Sequence, residues 1–151
     1  MPTNTKALQV AEPVGFVAGK NKIINGDFNI NQRAFSSNTT TNVFGFDRWQ
    51  MHCIGGTTTF SAQTFTPGAA PVTGYESTNF LRVTGTGQST TTHYIAFRQP
   101  IEDVRTLAGQ TVTVSFWAKA STGTPQIAVT LDQNFGSGGT TNNPKSGSNI
   151  T

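Results

Sequence analysis

The sequence predicts an all-β sandwich, and three observations carry that prediction. The residue types suit strands: Thr occurs 26 times, Phe 11 and Val 10, against only 4 Leu. Branched and aromatic side chains pack well on a pleated surface, whereas helical bundles and coiled coils draw on Ala, Leu, Glu and Lys. Three segments alternate apolar and polar residues with the period of two that half-buried strands require. Gly and Pro clusters at Gly55-Gly56, Pro67-Gly68, Gly85–Gly87 and Thr122–Pro125 punctuate the chain at the spacing of sandwich turns.

Taken in order, Met1–Gly19 reads as an extended arm, with Pro2, Pro13, Gly15 and Gly19 and no sustained periodicity. Such an arm is disordered or ordered by a partner. Lys22–Phe28 is an irregular strand candidate. Asp47–Ile54 alternates: Trp49, Met51 and Cys53 share one face, and Arg48, Gln50 and His52 the other. Thr57–Phe65, Asn79–Thr84 and Thr92–Arg98 are less regular strands. Ile101, Val104 and Leu107 recur at helical spacing before Gly109, which predicts one short helical turn. In Gln110–Lys119, Val112, Val114, Phe116 and Ala118 oppose Thr111, Thr113, Ser115 and Trp117; in Gln126–Asp132, Ile127, Val129 and Leu131 share a face. This makes about seven short strands between residues 20 and 135. Residues 136–151 are Gly, Ser, Thr and Asn with little apolar content, a loop or tail. A loop normally joins two elements, so a domain cut short is expected, and with it an unpaired edge open to another chain.

Composition excludes several classes. Charged residues are 11% of the chain, against about 25% in an ordinary soluble protein. The net charge of +3 comes from ten scattered cations, without the cluster that phosphate tracking needs, so no nucleic-acid partner is expected. There is no run of about 18 apolar residues to insert in a membrane. Glu12 and Pro13 interrupt the apolar stretch near the start, which argues against a secretory signal and for synthesis in a cytoplasm. Cys53 has no second cysteine to pair with.

The residues offer little to catalysis. Two carboxylates across a cleft, such as Asp47 and Glu76, are what a glycosidase needs. Asp47 beside Arg48 at a strand start and Glu76 in a polar loop have plainer structural uses. No nucleophile elbow, phosphate loop or metal-ligand spacing is present, and Cys53 shares the face of Trp49 and Met51 as a small core residue. His52 and His93 fall inside strand candidates as half-exposed residues. Asn25-Gly26-Asp27-Phe28 could offer oxygens to calcium, but a tight Asn-Gly turn with a buried Phe accounts for it without a metal. No catalytic residue, metal or cofactor is expected. Phe28 and Trp49 read as core anchors, and a buried Trp49→Ala change would cost roughly 3–5 kcal/mol.

Lys22-Ile23-Ile24-Asn25-Gly26-Asp27-Phe28-Asn29-Ile30-Asn31-Gln32-Arg33 resembles the opening of a domain found in phage tail proteins, mostly tail fibres. Phe46-Asp47-Arg48-Trp49-Gln50 resembles the next block of that family. Arg98–Asp103 and Thr113–Ala120 are similar to its later blocks, in the same order. The resemblance covers roughly residues 20–135. The Asn-Gly-Asp-Phe opening is also similar to carbohydrate-binding jelly rolls of the galactose-binding-like type, which often carry an acid after the Phe that serves a structural calcium; here Asn29 stands there.

The resemblance implies a jelly-roll β-sandwich on the virion tail, commonly a homotrimer, with further strands after the Thr140–Asn149 loop. It makes Asn25, Gly26, Phe28, Asp47, Arg48 and Trp49 structural anchors. It implies a structural tail protein that attaches to the host surface, with Met1–Gly19 as the anchor to other tail proteins. The alternative is a glycan-binding module without catalysis. Trp117 motivates that alternative, because an indole beside Thr113, Ser115 and Lys119 could stack on a sugar ring, unless the arm or another subunit covers it.

Overall fold

The fold starts from a turn. Asn25 and Phe28 both sit at positive φ, and Phe28 N–H donates to Asn25 O at 3.2 Å, so the chain reverses at Asn25-Gly26-Asp27-Phe28. This replaces the strand expected over Lys22–Phe28: two left-handed residues within four positions cannot continue an extended ladder. The Asn25 side chain holds the turn. Its Nδ2 donates to Ile30 O at 2.8 Å and Asp47 O at 3.0 Å, and its Oδ1 accepts from Ile30 N at 2.8 Å. Buried amides are stable only when satisfied in this way.

The computed structural model describes residues 21–139 and 145–147. The extended arm expected at Met1–Gly19 lies outside the described residues. These residues divide after Ile101 into two compact units. The described residues are nearly all β, 28% strand against 3% helix. In the unit ending at Ile101 six strands appear: β1 Ser37–Asn38, β2 Val43–Phe44, β3 Gln50–Ile54, β4 Thr57–Thr64, β5 Asn79–Thr86 and β6 Tyr94–Arg98. They form two antiparallel three-stranded sheets, β1-β4-β5 and β2-β3-β6, as an all-β sandwich requires. The strands expected over Thr57–Phe65, Asn79–Thr84 and Thr92–Arg98 correspond to β4, β5 and β6.

The chain changes sheet between β1 and β2, between β3 and β4, and between β5 and β6. The second change takes two residues, Gly55 and Gly56, both at positive φ. A side chain at either would collide, with the His93 ring or with Thr86 O respectively. Gly85 of β5 faces Ile95 of β6 so closely that a Cβ there would strike Ile95 Cδ1, which brings the two sheets face to face. Phe60 of β4, Met51 of β3 and Phe46 are fully buried between them. Thr58 is buried as well, and its Oγ1 has no hydrogen-bond partner.

Phe28 and Trp49 are half-buried rather than buried. Phe28 lies 5.1 Å from Phe46 and 5.6 Å from Trp49 between ring centroids, and Trp49 lies 5.2 Å from Phe97. Trp49 Nε1 donates to Asn25 O at 2.9 Å. The rings form a cluster that opens to solvent at Phe97, which is 45% exposed.

The unit beginning at Glu102 differs. Val104–Leu107 forms the expected helical turn as a 3₁₀ helix, capped by Asp103, whose carboxylate accepts from Arg105 N at 3.0 Å. Over Gln110–Lys119, where a strand is expected, no ladder is found among the described residues, and residues 111–120 are all exposed. The strand expected over Gln126–Asp132 shrinks to β7, Thr130–Leu131, paired with β8, Lys145–Ser146. No helix among the described residues is long and apolar enough to cross a membrane.

Candidate functional site

The outer face of the β2-β3-β6 sheet collects polar and aromatic side chains in three rows. Register places Phe44 beside Gln50 and Gln50 beside Arg98, then His52 beside Ala96, then Ile54 beside Tyr94. The pleat sends the alternate residues Met51 and Cys53 inward and these outward. Asn42, preceding β2, extends the middle row, because its N–H donates to Met51 O at 2.8 Å. Phe44, Tyr94 and Ile54 are 41%, 45% and 45% exposed, so apolar surface brackets the polar strip.

The strip is one connected network. Arg98 Nε donates to Gln50 Oε1 at 2.8 Å, and Arg98 Nη2 donates to Asn42 Oδ1 at 3.2 Å. His52 Nδ1 lies 2.7 Å from the same Asn42 Oδ1, and His52 Nε2 lies 2.9 Å from Tyr94 Oη. Asn42 Oδ1 only accepts, so His52 Nδ1 donates to it, and His52 Nε2 shares a second hydrogen bond with the Tyr94 hydroxyl. Gln50 Nε2 donates to Asn42 O at 3.3 Å. Each side chain is thereby oriented before any ligand arrives, and unused donors and acceptors remain at Arg98, Asn42 and Tyr94. Fixed amides, a guanidinium and a phenol beside exposed rings can hydrogen-bond sugar hydroxyls while a ring stacks on a sugar face.

At the Phe44 corner, the Arg33 guanidinium lies over the Phe44 ring, 5.6 Å from its centroid. Arg33 Nη1 also reaches Asp47 Oδ1 at 3.4 Å, and Asp47 Oδ2 accepts from Gln32 N at 2.6 Å. The Asp47 carboxylate is thus committed to the loop before β1. Glu76 accepts from Gly68 N at 2.7 Å and closes the loop between β4 and β5. Each of the two acids weighed for catalysis is therefore engaged in loop closure.

The structure brings together the two sequence blocks that contain Asn25, Gly26 and Phe28 and Asp47, Arg48 and Trp49. Asn25 bonds Asp47 O and receives the Trp49 indole N–H, Phe28 stacks near Trp49, and Arg48 Nη2 donates to Pro100 O at 3.4 Å. Gly26 lies in the turn with Ile23 Cγ2 beside it. Trp117 is 69% exposed and belongs to the unit that contains Glu102. Cys53 is half-buried and free, and His93 accepts from Ser89 N at 3.2 Å.

A structural calcium near the Asn25 turn does not fit these residues. Asn25 Oδ1 is taken by Ile30 N, Asp27 Oδ2 accepts from Asn29 Nδ2 at 2.6 Å, and Asn29 Oδ1 accepts from Asn79 Nδ2 at 3.3 Å. Asn29 closes the turn by hydrogen bonds, and only Asp27 offers a carboxylate there. Among the described residues no group of three His, Cys, Asp or Glu side chains could hold a metal ion.

Sequence reasoning passed over Asn42, Gln50, Tyr94 and Arg98. The signals were a polar face on Gln50 and His52 and the four-residue spacing of Tyr94 and Arg98, but the register that joins them is not written in either segment.

No curated protein and no solved structure matches the chain. The profile of one family, described as a carbohydrate binding domain, matches residues 20–150. Two antiparallel sheets with an exposed polar and aromatic face agree with that match, and the chain belongs to the carbohydrate-binding domain family.

Proposed function

We propose that this chain is the non-catalytic carbohydrate-binding domain of a phage tail appendage, a tail fibre or fibre-like protein that attaches to glycans on the host cell surface. The observation that carries the binding reading is the outer face of β2-β3-β6, where Asn42, Gln50, His52, Tyr94 and Arg98 are locked in one network between exposed rings. The phage reading is supported by the sequence blocks Lys22–Arg33, Phe46–Gln50, Arg98–Asp103 and Thr113–Ala120, in the order that tail proteins use. In this reading Met1–Gly19 joins the protein to other tail proteins, residues 20–135 form the sandwich domain, and the protein works as a homotrimer on the virion. Asn25, Gly26, Phe28, Asp47, Arg48 and Trp49 serve as structural anchors, and Trp117 is a second stacking candidate.

The test is a screen of the purified chain against an array of bacterial surface saccharides, with host-cell adsorption scored in parallel. Binding that falls at least tenfold in Tyr94→Ala supports the face. Binding that falls only in Trp117→Ala moves the site to the Trp117 segment. Release of reducing ends from host polysaccharide contradicts the non-catalytic reading. Deleting Met1–Gly19 tests the anchor: virions that incorporate the shortened protein normally remove it.

A further inference from the structure

We infer that the β2-β3-β6 face is built for an acidic saccharide, one bearing a carboxylate, and that Arg98 receives the acid group. The inference rests on the glycan-binding reading and specifies its ligand class. Arg98 is exposed, and both of its hydrogen-bond acceptors, Gln50 Oε1 and Asn42 Oδ1, are neutral amides. Amides orient a guanidinium without cancelling its charge. They hold it through Nε and one hydrogen of Nη2, which leaves the Nη1 and remaining Nη2 hydrogens as a fork. That fork matches the two oxygens of a carboxylate, the pairing in which Arg is most selective.

Among the described residues, this face supplies no internal competitor. The outward residues of this face are Phe44, Gln50, Arg98, His52, Ala96, Ile54 and Tyr94, none of them acidic. Asp47 reaches the Phe44 corner through Arg33, but its two oxygens already take Gln32 N and the Arg33 guanidinium. Arg33 is therefore a half-neutralised cation and Arg98 a whole one.

The remaining free valences suit a sugar around that acid. Asn42 Nδ2 has both hydrogens to give, and Tyr94 Oη, bonded to His52 Nε2, keeps a lone pair to accept a hydroxyl. The face thus has more donors than acceptors, as recognition of an anionic saccharide requires.

The experiment is calorimetric titration of the full chain with a panel of uronate-containing tetrasaccharides, and with the same panel after chemical reduction of each carboxylate to a hydroxymethyl group. A neutral oligosaccharide panel runs alongside. The expected result is that at least one acidic tetrasaccharide binds and that reduction weakens it tenfold or more. Arg98→Gln should erase the difference between the two forms, Arg98→Lys should retain part of it, and added salt should weaken only the acidic form. Both variants keep the backbone ladder of β6, and circular dichroism checks their fold. Equal binding of acidic and reduced forms overturns the inference while leaving the glycan reading standing. Binding to no saccharide in any panel overturns both.

Discussion

The segments up to Ile101 and those after Glu102 carry the same alternation of apolar and polar side chains, yet among the described residues only the first closes it into extended ladders. In β3, Met51 points inward and is 1% exposed, with Val43 of β2 and Phe97 of β6 as register partners. In residues 111–120 the same pattern leaves Val114 at 45% and Phe116 at 44% exposure, with no ladder among the described residues. Side-chain pattern sets which face turns inward; a neighbouring strand decides whether there is an inside. The free energy of burial comes from the second condition, at roughly 25 cal/mol per Å² of apolar surface removed from water.

The largest contrast that can break this comparison is a pair of truncations. Phe60→Ala removes a ring that is 0% exposed between two sheets and should cost about 3–5 kcal/mol in denaturant unfolding. Phe116→Ala, on a residue 44% exposed, should cost no more than about 0.5 kcal/mol. Equal losses would show that residues 111–120 pack as firmly as β4.

A step smaller, Asn25→Ala strips the three side-chain hydrogen bonds that tie Ile30 and Asp47 to the turn. At roughly 1 kcal/mol for each bond, with buried backbone groups left unpaired, the loss should be about 2–3 kcal/mol by urea titration. A variant as stable as the parent would mean that the turn holds through its aromatic contacts alone.

Thr58→Val sharpens the same comparison in the other direction. The Thr58 hydroxyl is buried without a partner, so a methyl of the same shape should leave stability unchanged or raise it by about 0.5–1 kcal/mol. A lower melting temperature would show that the hydroxyl is satisfied in solution.

The smallest effect belongs to the second unit. The Arg105 side chain beside Asp103 holds its carboxyl well below its ordinary 3.8, at about 2, through bonds of 3.0 and 2.8 Å. A lowered folded value means that the contact stabilises the helical turn above pH 3.8 and that this contribution fades as pH falls from 3.8 through 2. The pair is fully exposed, so the effect on overall stability is slight. The Asp103 carboxyl carbon, followed by NMR, should titrate near 2. A midpoint near 3.8 would mean that the ion pair is not formed.

What the sequence made legible follows the same division. Composition and turn signals place β4, β5 and β6 near their true limits, because Thr57–Phe65, Asn79–Thr84 and Thr92–Arg98 combine branched and aromatic residues with nearby Gly or Pro. The Asn25 turn and the Asp47-Arg48-Trp49 block were visible as motifs, while their contact across 22 residues depended on where two loops meet. Lys22–Phe28 departs from its strand-like composition because Asn25 and Phe28 adopt positive φ, which Phe rarely does. The polar network was hidden for a different reason: Asn42, His52 and Arg98 meet only through the register of three strands, and register is a property of the sheet.

The most direct test of the central claim, that sugar is bound on the outer face of β2-β3-β6, is a two-dimensional NMR titration of the labelled chain with a saccharide found to bind in the array screen. The account predicts that the shifts that move first and furthest are the side-chain amides of Asn42 and Gln50, the His52 ring, the Tyr94 ring and the Arg98 guanidinium. Shifts confined to the Trp117 indole and its neighbours, with those five unmoved at saturation, would contradict it.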